Sequence, residues 1–237
     1  AMTAAQPAVR GRKRVYLMRH GEVSYHRPDG STVFGDVDLT EEGVTQATLM
    51  RDLLAEVPFD LVVHTGKQRT RRTAAIVQGG RALPVREIPE LEELKGGSIT
   101  GLSEERIEAE FVYGLERAAL PGAGFPGGES FATFEARVVP AFESLLRSPG
   151  WNTLLLVAHG GTNAMLLAWV TRGGLAGAGA FEQDAGCVNI VDVDVVDSEI
   201  VRRLVRAINI TPYNFAKVGH HLTVTERIVR SRLAGTP

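Results

Sequence analysis

Two histidines stand at the ends of apolar runs, and glycine follows each at once: "RVYLMRHGE" covers residues 14–22 and "LLLVAHGGT" residues 154–162. An imidazole is a nucleophile or proton carrier near neutral pH. A glycine beside it lets the chain turn sharply and bring backbone N–H groups close to an anion. His20 also has Arg19 next to it. A third apolar run, "FDLVVHT" (59–65), leads through Gly66 into the basic stretch "KQRTRRT" (67–73), which contains Arg69. If these runs are neighbouring strands, Arg19 and Arg69 converge on one anion, and guanidinium forks match phosphate oxygens bidentately. A lone histidine is more often structural than catalytic. Two at strand ends, with arginines in reach, point to phosphate chemistry.

The elements that must position these residues alternate in type. Leu39, Val44, Ala47, Met50, Leu53 and Leu54 recur near helical spacing, with Thr40 placed as N-cap and Glu41 and Glu42 in the first turn, which predicts a helix within 39–57. The 67–80 stretch closes on two glycines, as helices often do. "LPVREI" (83–88) is β-like, "LEELKGGSITG" (91–101) reads as irregular loop, and 130–148 has helical periodicity. The segment 187–209 alternates apolar and polar residues around Asp197-Ser198, the pattern of a hairpin. Together these predict an α/β three-layer sandwich, with a mostly parallel central sheet and helices on both faces. Ligands of such sheets bind at the carboxyl ends of strands, where both histidines lie. Residues 1–13 are expected to form a disordered tail and 14–237 a single domain.

Composition narrows the partners. The 237 residues are 44% hydrophobic and 23% charged, with a formal charge of −2, so no basic surplus argues for nucleic acid or an anionic membrane. Neither a secretory signal nor a stretch of membrane-spanning length is visible. Cys187 is the single cysteine, which rules out an internal disulfide and fits a reducing compartment, so a cytoplasmic location is expected. Paired histidine spacing of the H-E-x-x-H kind is missing, and neither metal nor cofactor is expected. The expected partner is a small phosphorylated metabolite, with no nucleic acid and no membrane; a homodimer is left open.

In order along the chain, "LMRHGE", "HTGKQRTRRTA", "LEELKGGSITG", "PGGES" and "LLLVAHGGT" resemble the motifs of the histidine phosphatase superfamily, also called the phosphoglycerate mutase-like family. The resemblance runs over about residues 14–196. It implies that His20 accepts the phosphoryl group as phosphohistidine. Arg19, Arg69 and His159 would bind phosphate and stabilise its transferring oxygens. Glu93, selected over Glu90 and Glu92 by its spacing from Leu91 and Gly97, would protonate the leaving oxygen and later help activate water. His20 must then offer a bare nitrogen: Arg19 disfavours its protonation, and the Gly21 turn would supply an acceptor for the other nitrogen. Lys67, Arg71 and Arg72 are left as rim charges.

Two features bear on the branch of the family. Mutases carry a basic lid with adjacent arginines before the "PGGES"-like element, whereas residues 101–130 here contain only Arg106 and Arg117. The resemblance therefore implies a metal-independent phosphomonoesterase, with mutase-type transfer or a phospho-ligand-binding module of little turnover as alternatives. The segment after "RHGE", residues 23–38, replaces a shorter family segment. Ser24, Tyr25, His26 and Arg27 are thus expected substrate contacts, as is Asn163, which stands where arginine is common.

Overall fold

The computed structural model describes residues 10–25 and 35–234. Among them six strands form one sheet: β1 (Arg12–Arg19), β2 (Leu61–His64), β3 (Val85–Glu87), β4 (Thr153–Ala158), β5 (Val188–Val196) and β6 (Glu199–Ile210). The spatial order is β3-β2-β4-β1-β5-β6. β3, β2, β4 and β1 pair in parallel, and β5 runs antiparallel to both β1 and β6. The helices are α1 (Glu41–Leu53), α2 (Gln68–Gln78), the short α3 (Glu104–Ile107), α4 (Phe131–Arg147), α5 (Gly160–Thr171), the short α6 (Gly174–Gly177) and α7 (Val224–Ala234).

The central strands read as unbroken apolar runs because both of their faces are covered. Val15 and Leu17 of β1, with Leu154 and Leu156 of β4, pack with Phe134, Val138 and Phe142 of α4 and Met165 of α5. The alternate residues Tyr16, Met18, Leu155 and Val157 pack with Ala47 and Met50 of α1 and Ala74 and Val77 of α2. Period-two alternation in two strands thus feeds two cores, one on each side of the sheet. α5 is buried without a break from Thr162 to Val170, which explains its lack of a polar face.

Local signals account for the ends of the elements. Thr40 accepts the Gly43 N–H at 3.0 Å and starts α1, while Ser130 accepts the Thr133 N–H at 3.1 Å and starts α4. Asp197 and Ser198 both lie in the left-handed region, φ 52° and 66°, and make the tight hairpin turn between β5 and β6. The sheet begins before the expected boundary at residue 14. Arg12 pairs with Asp194 and Asp192 on β5, and Lys13 Nζ donates to the carbonyls of Ser148 and Trp151, both at 2.9 Å.

Candidate active site

The ends of β1, β4 and β2 lie abreast, with Arg19 opposite Ala158 and His64 opposite Val157. One step further along each chain come His20, His159 and Thr65, so three sequence-distant residues reach one place because their strands are neighbours.

His20 is 6% exposed, and its backbone is held on every side. Its N–H donates to Ala158 O at 3.1 Å, its carbonyl accepts from Gly186 N at 2.9 Å, and the next N–H, of Gly21, donates to Thr73 Oγ1 at 3.1 Å. Gly21 itself is required by close approach: a Cβ there would sit 2.4 Å from Gly43 O, and one on Gly43 would sit 2.2 Å from Glu22 O. Within this turn His20 Nδ1 lies 2.7 Å from the Gly21 carbonyl. A carbonyl can only accept, so Nδ1 carries the hydrogen and Nε2 is left bare. Burial, reinforced by the charges of Arg19 and Arg69, holds the His20 pKa well below the ordinary histidine value.

His159 is fully buried, and its Nε2 lies 2.9 Å from Thr65 Oγ1. Thr65 Oγ1 is in turn 3.1 Å from Thr70 Oγ1, which donates to Lys67 O at 2.8 Å. Three contacts need three hydrogens. Thr70 gives its own to Lys67, Thr65 gives its own to Thr70, and the contact at Thr65 must therefore be a donation from His159 Nε2. The neutral ring then has a bare Nδ1, which is buried and has no hydrogen-bond partner among the described residues. Burial is the main cause of the lowered His159 pKa, followed by the charges of His20, Arg69, Arg19 and Lys67. The two imidazole rings are 5.4 Å apart, edge to face.

Arg19 donates from Nη1 to the Gln183 carbonyl at 2.6 Å. Arg69 is 8% exposed and meets Asp36 at 3.4 Å, while the same carboxylate caps α2 by accepting Gln68 N–H. The Nε atoms of both arginines are buried without a partner among the described residues. Two guanidinium donors suit an anion with several oxygens, and the bare His159 Nδ1, an acceptor as it stands, becomes a third donor on taking up a proton.

Glu93 reaches this group from the loop after β3. Its Oε2 accepts Gly161 N–H at the start of α5 at 3.0 Å, and its Oε1 accepts Leu94 N–H at 3.0 Å. A Cβ on Gly161 would lie 2.5 Å from Glu93 Oε1, so the second glycine of "HGG" makes room for the carboxylate.

The family model of the histidine phosphatase superfamily (branch 1) matches residues 15–204. The chain belongs to that superfamily. A relative from Salmonella typhimurium, an adenosylcobalamin/alpha-ribazole phosphatase, is 30% identical over 186 residues, 76% of this chain and 90% of its own. The crystal structure of the alpha-ribazole phosphatase from Shigella flexneri superposes with a TM-score of 0.63 at 28% identity, covering 83% of this chain and 96% of that one. Mycobacterial glucosyl-3-phosphoglycerate phosphatase superposes with a TM-score of 0.67 at 27% identity, covering 84% and 99%.

In this histidine phosphatase Arg19, His20, Arg69, Glu93 and His159 come together, but the expected substrate contacts do not all join them. Asn163 is fully buried, and what sets it apart from the equally buried His159 is that both ends of its amide are spent on backbone. With its amide turned so that both ends are satisfied, it donates to the His159 carbonyl at 3.3 Å and accepts Arg19 N–H at 3.1 Å. It is a brace between the two strand ends, and its position four residues after His159 on α5 is the reason. Tyr25 is 44% exposed and Ser24 is exposed, while His26 and Arg27 lie outside the described residues. Lys67, expected as a rim charge, bridges to Glu92 at 3.3 Å, and Arg72 pairs with Asp38 at 2.5 Å.

Several supporting residues are not apparent from the sequence motifs alone. Thr73 does stand in the motif, four residues after Arg69, whereas Thr70 falls between the motif positions on the buried face of α2, and its helical spacing from Thr73 is a usable signal. Gln183 acts through its carbonyl, which no side-chain pattern announces. Among the described residues, no group of three His, Cys, Asp or Glu side chains is arranged to hold a metal ion, and no helix is long and apolar enough to cross a membrane.

Proposed function

We propose that the chain hydrolyses the phosphomonoester of a small metabolite, without a metal, through a phosphohistidine at His20. The observation that carries this reading is the turn in which the Gly21 carbonyl holds Nδ1–H and leaves Nε2 bare beside two arginines. Nε2 attacks phosphorus and the ester P–O bond breaks, while Arg19 and Arg69, joined by His159 once the bound dianion has drawn a proton onto its Nδ1, hold the equatorial oxygens. Glu93 gives its proton to the departing oxygen. Water then attacks phosphorus and gives up a proton to Glu93 as the new P–O bond forms and the P–N bond breaks, and inorganic phosphate leaves a regenerated imidazole.

Two observations favour water over a second substrate oxygen as the acceptor. Arg106, one of the two arginines in the lid segment, is tied to Glu110 at 2.8 and 3.0 Å rather than held ready for a substrate carboxylate. The Salmonella, Shigella and mycobacterial relatives are phosphatases. We read the setting as cytoplasmic from the single cysteine, Cys187, which is free and buried.

The test is phosphate release from a panel of small phosphomonoesters in EDTA, comparing the chain with His20→Ala. Release that survives chelation and disappears in the variant is expected. Release that needs an added divalent ion, or that His20→Ala retains, would overturn the reading, and isomerisation of a phosphorylated sugar acid without release would assign a mutase.

A further inference from the structure

Arg137, on α4, plays no part in the phosphoryl-transfer steps, yet its guanidinium is committed to one short stretch of chain. Nη1 donates to the carbonyls of Glu90 at 2.8 Å and Glu92 at 3.0 Å; Nη2 donates to the carbonyl of Glu93 at 3.2 Å and to Glu129 Oε1 at 2.6 Å. Glu129, from "PGGES", grips the same stretch one step on. Its Oε1 accepts Lys95 N–H at 2.8 Å, and its own N–H donates to the Lys95 carbonyl at 2.8 Å. The pair therefore holds the backbone immediately before and after the Glu93 side chain. Both partners are largely buried, with side-chain exposures of 16% and 12%. From α5, Thr162 Oγ1 lies 3.3 Å from the carbonyls of both Leu91 and Glu92.

Residues 92–95 lie outside any helix or strand, between the single 3-10 turn Pro89–Leu91 and a lone bridge from Gly96 to Gly128, so the direction of the Glu93 carboxylate depends on such contacts. Burying an ion pair is costly unless its remaining donors are satisfied; backbone carbonyls of the Glu93 loop take up Nη1 and Nη2, while Nε is buried without a partner among the described residues. Lysine would keep the charge but lose the planar fork that spans three carbonyls and a carboxylate.

We propose that Arg137 and Glu129 are positioning residues that aim Glu93 at the leaving oxygen of the substrate. This rests on the reading of Glu93 as the proton donor. Proton donation matters most when the leaving group is a poor one, so the clamp is visible in how rate depends on the leaving group. Misdirecting a carboxylate should slow the release of alcohols far more than the release of acidic phenols.

The experiment measures kcat/KM for a series running from aryl phosphates with acidic phenols to simple alkyl phosphates. It compares the unchanged chain with Arg137→Lys, Glu129→Gln and Glu93→Gln, with competitive inhibition by inorganic phosphate as a second readout. Glu93→Gln is expected to lose about 100-fold or more on alkyl esters and little on the most reactive aryl esters. Each clamp variant is expected to show the same selective pattern at about 10-fold, with phosphate inhibition unchanged, because the anion-binding arginines are untouched. Equal losses across the series in both clamp variants, or none, would overturn the clamp while Glu93→Gln stays selective. A flat series for Glu93→Gln would instead overturn the proton-donor reading, and the clamp with it. Should Arg137→Lys fail to fold, the isosteric Glu129→Gln carries the same test.

Discussion

His20 and His159 each end a buried parallel strand, each precede glycine, and lie ring to ring at 5.4 Å, yet their hydrogens sit on opposite nitrogens. The element that succeeds each strand makes the difference. After β1 the chain enters a turn packed on Gly43, and the Gly21 carbonyl folds back onto Nδ1 of the preceding ring. After β4 the chain enters α5 directly, so the ring meets the hydroxyl relay of Thr65 and Thr70 through Nε2. One wiring frees an attacking nitrogen; the other leaves a buried nitrogen with no partner among the described residues. The same pattern of strand, histidine and glycine thus serves two roles, chosen by the acceptor that the next element supplies.

The comparison can be broken most severely at His20. His20→Ala is expected to lower kcat by about 10⁴-fold or more, measured as phosphate release, because no other imidazole at the site presents a bare Nε2. His159→Gln should cost about 10²–10³-fold, the scale of losing one oxyanion donor, which His159 becomes when the bound dianion draws a proton onto Nδ1, while the variant still forms phosphoenzyme on longer incubation. Equal losses in the two variants would erase the distinction between attacker and donor. Thr65→Val removes the acceptor for His159 Nε2–H and leaves that buried donor unpaired, a cost of about 1–3 kcal/mol. A lowered Tm and roughly tenfold weaker kcat/KM are expected, and an unchanged Tm would contradict the relay.

The smallest effect is on pH dependence. Both histidines are held neutral in the fold, chiefly by burial, so below the unfolded value near 6.5 the unfolded chain binds protons that the folded chain does not. Stability should therefore fall as pH drops through about 6.5, at up to about 1.4 kcal/mol per pH unit for each histidine, until the lowered folded values are reached. Denaturant titrations at several pH values would measure this slope, and His159→Gln should remove its share. The same displacement should leave His20 competent to attack on the acidic side of the ordinary histidine range, which a pH profile of kcat/KM reads directly.

Much of this architecture is legible in the sequence because it is written locally. Apolar runs mark β1, β2 and β4; glycines mark their ends; caps such as Thr40 and Ser130 mark the helices. Even the acceptor for His20 is implied by the glycine beside it. Asn163 departs from its expected role because its helical offset from His159 turns it inward onto backbone, which a family position where arginine is common does not reveal. The hold of Arg137 on the Glu93 loop joins residues 44 to 47 apart with no periodicity between them, and the Gln183 carbonyl reaches Arg19 across 164 positions. Polar contacts of that range carry no sequence pattern. α7 is a different case: Thr223 and Glu226 form a reciprocal cap, with Thr223 N–H donating to Glu226 Oε2 at 2.6 Å and Glu226 N–H to Thr223 Oγ1 at 3.2 Å. Its T-x-x-E spacing is a local signal of a helix start, of the same kind as the caps of α1 and α4.

The most direct test traps the intermediate. The chain is mixed with a reactive aryl phosphate, quenched in base within milliseconds, digested, and the phosphorylated residue and nitrogen identified by mass spectrometry and phosphorus NMR. The account predicts a base-stable, acid-labile phosphoryl group on Nε2 of His20. Phosphate on Nδ1 of His20 or on His159, or full turnover with no phosphorylated histidine, would contradict it.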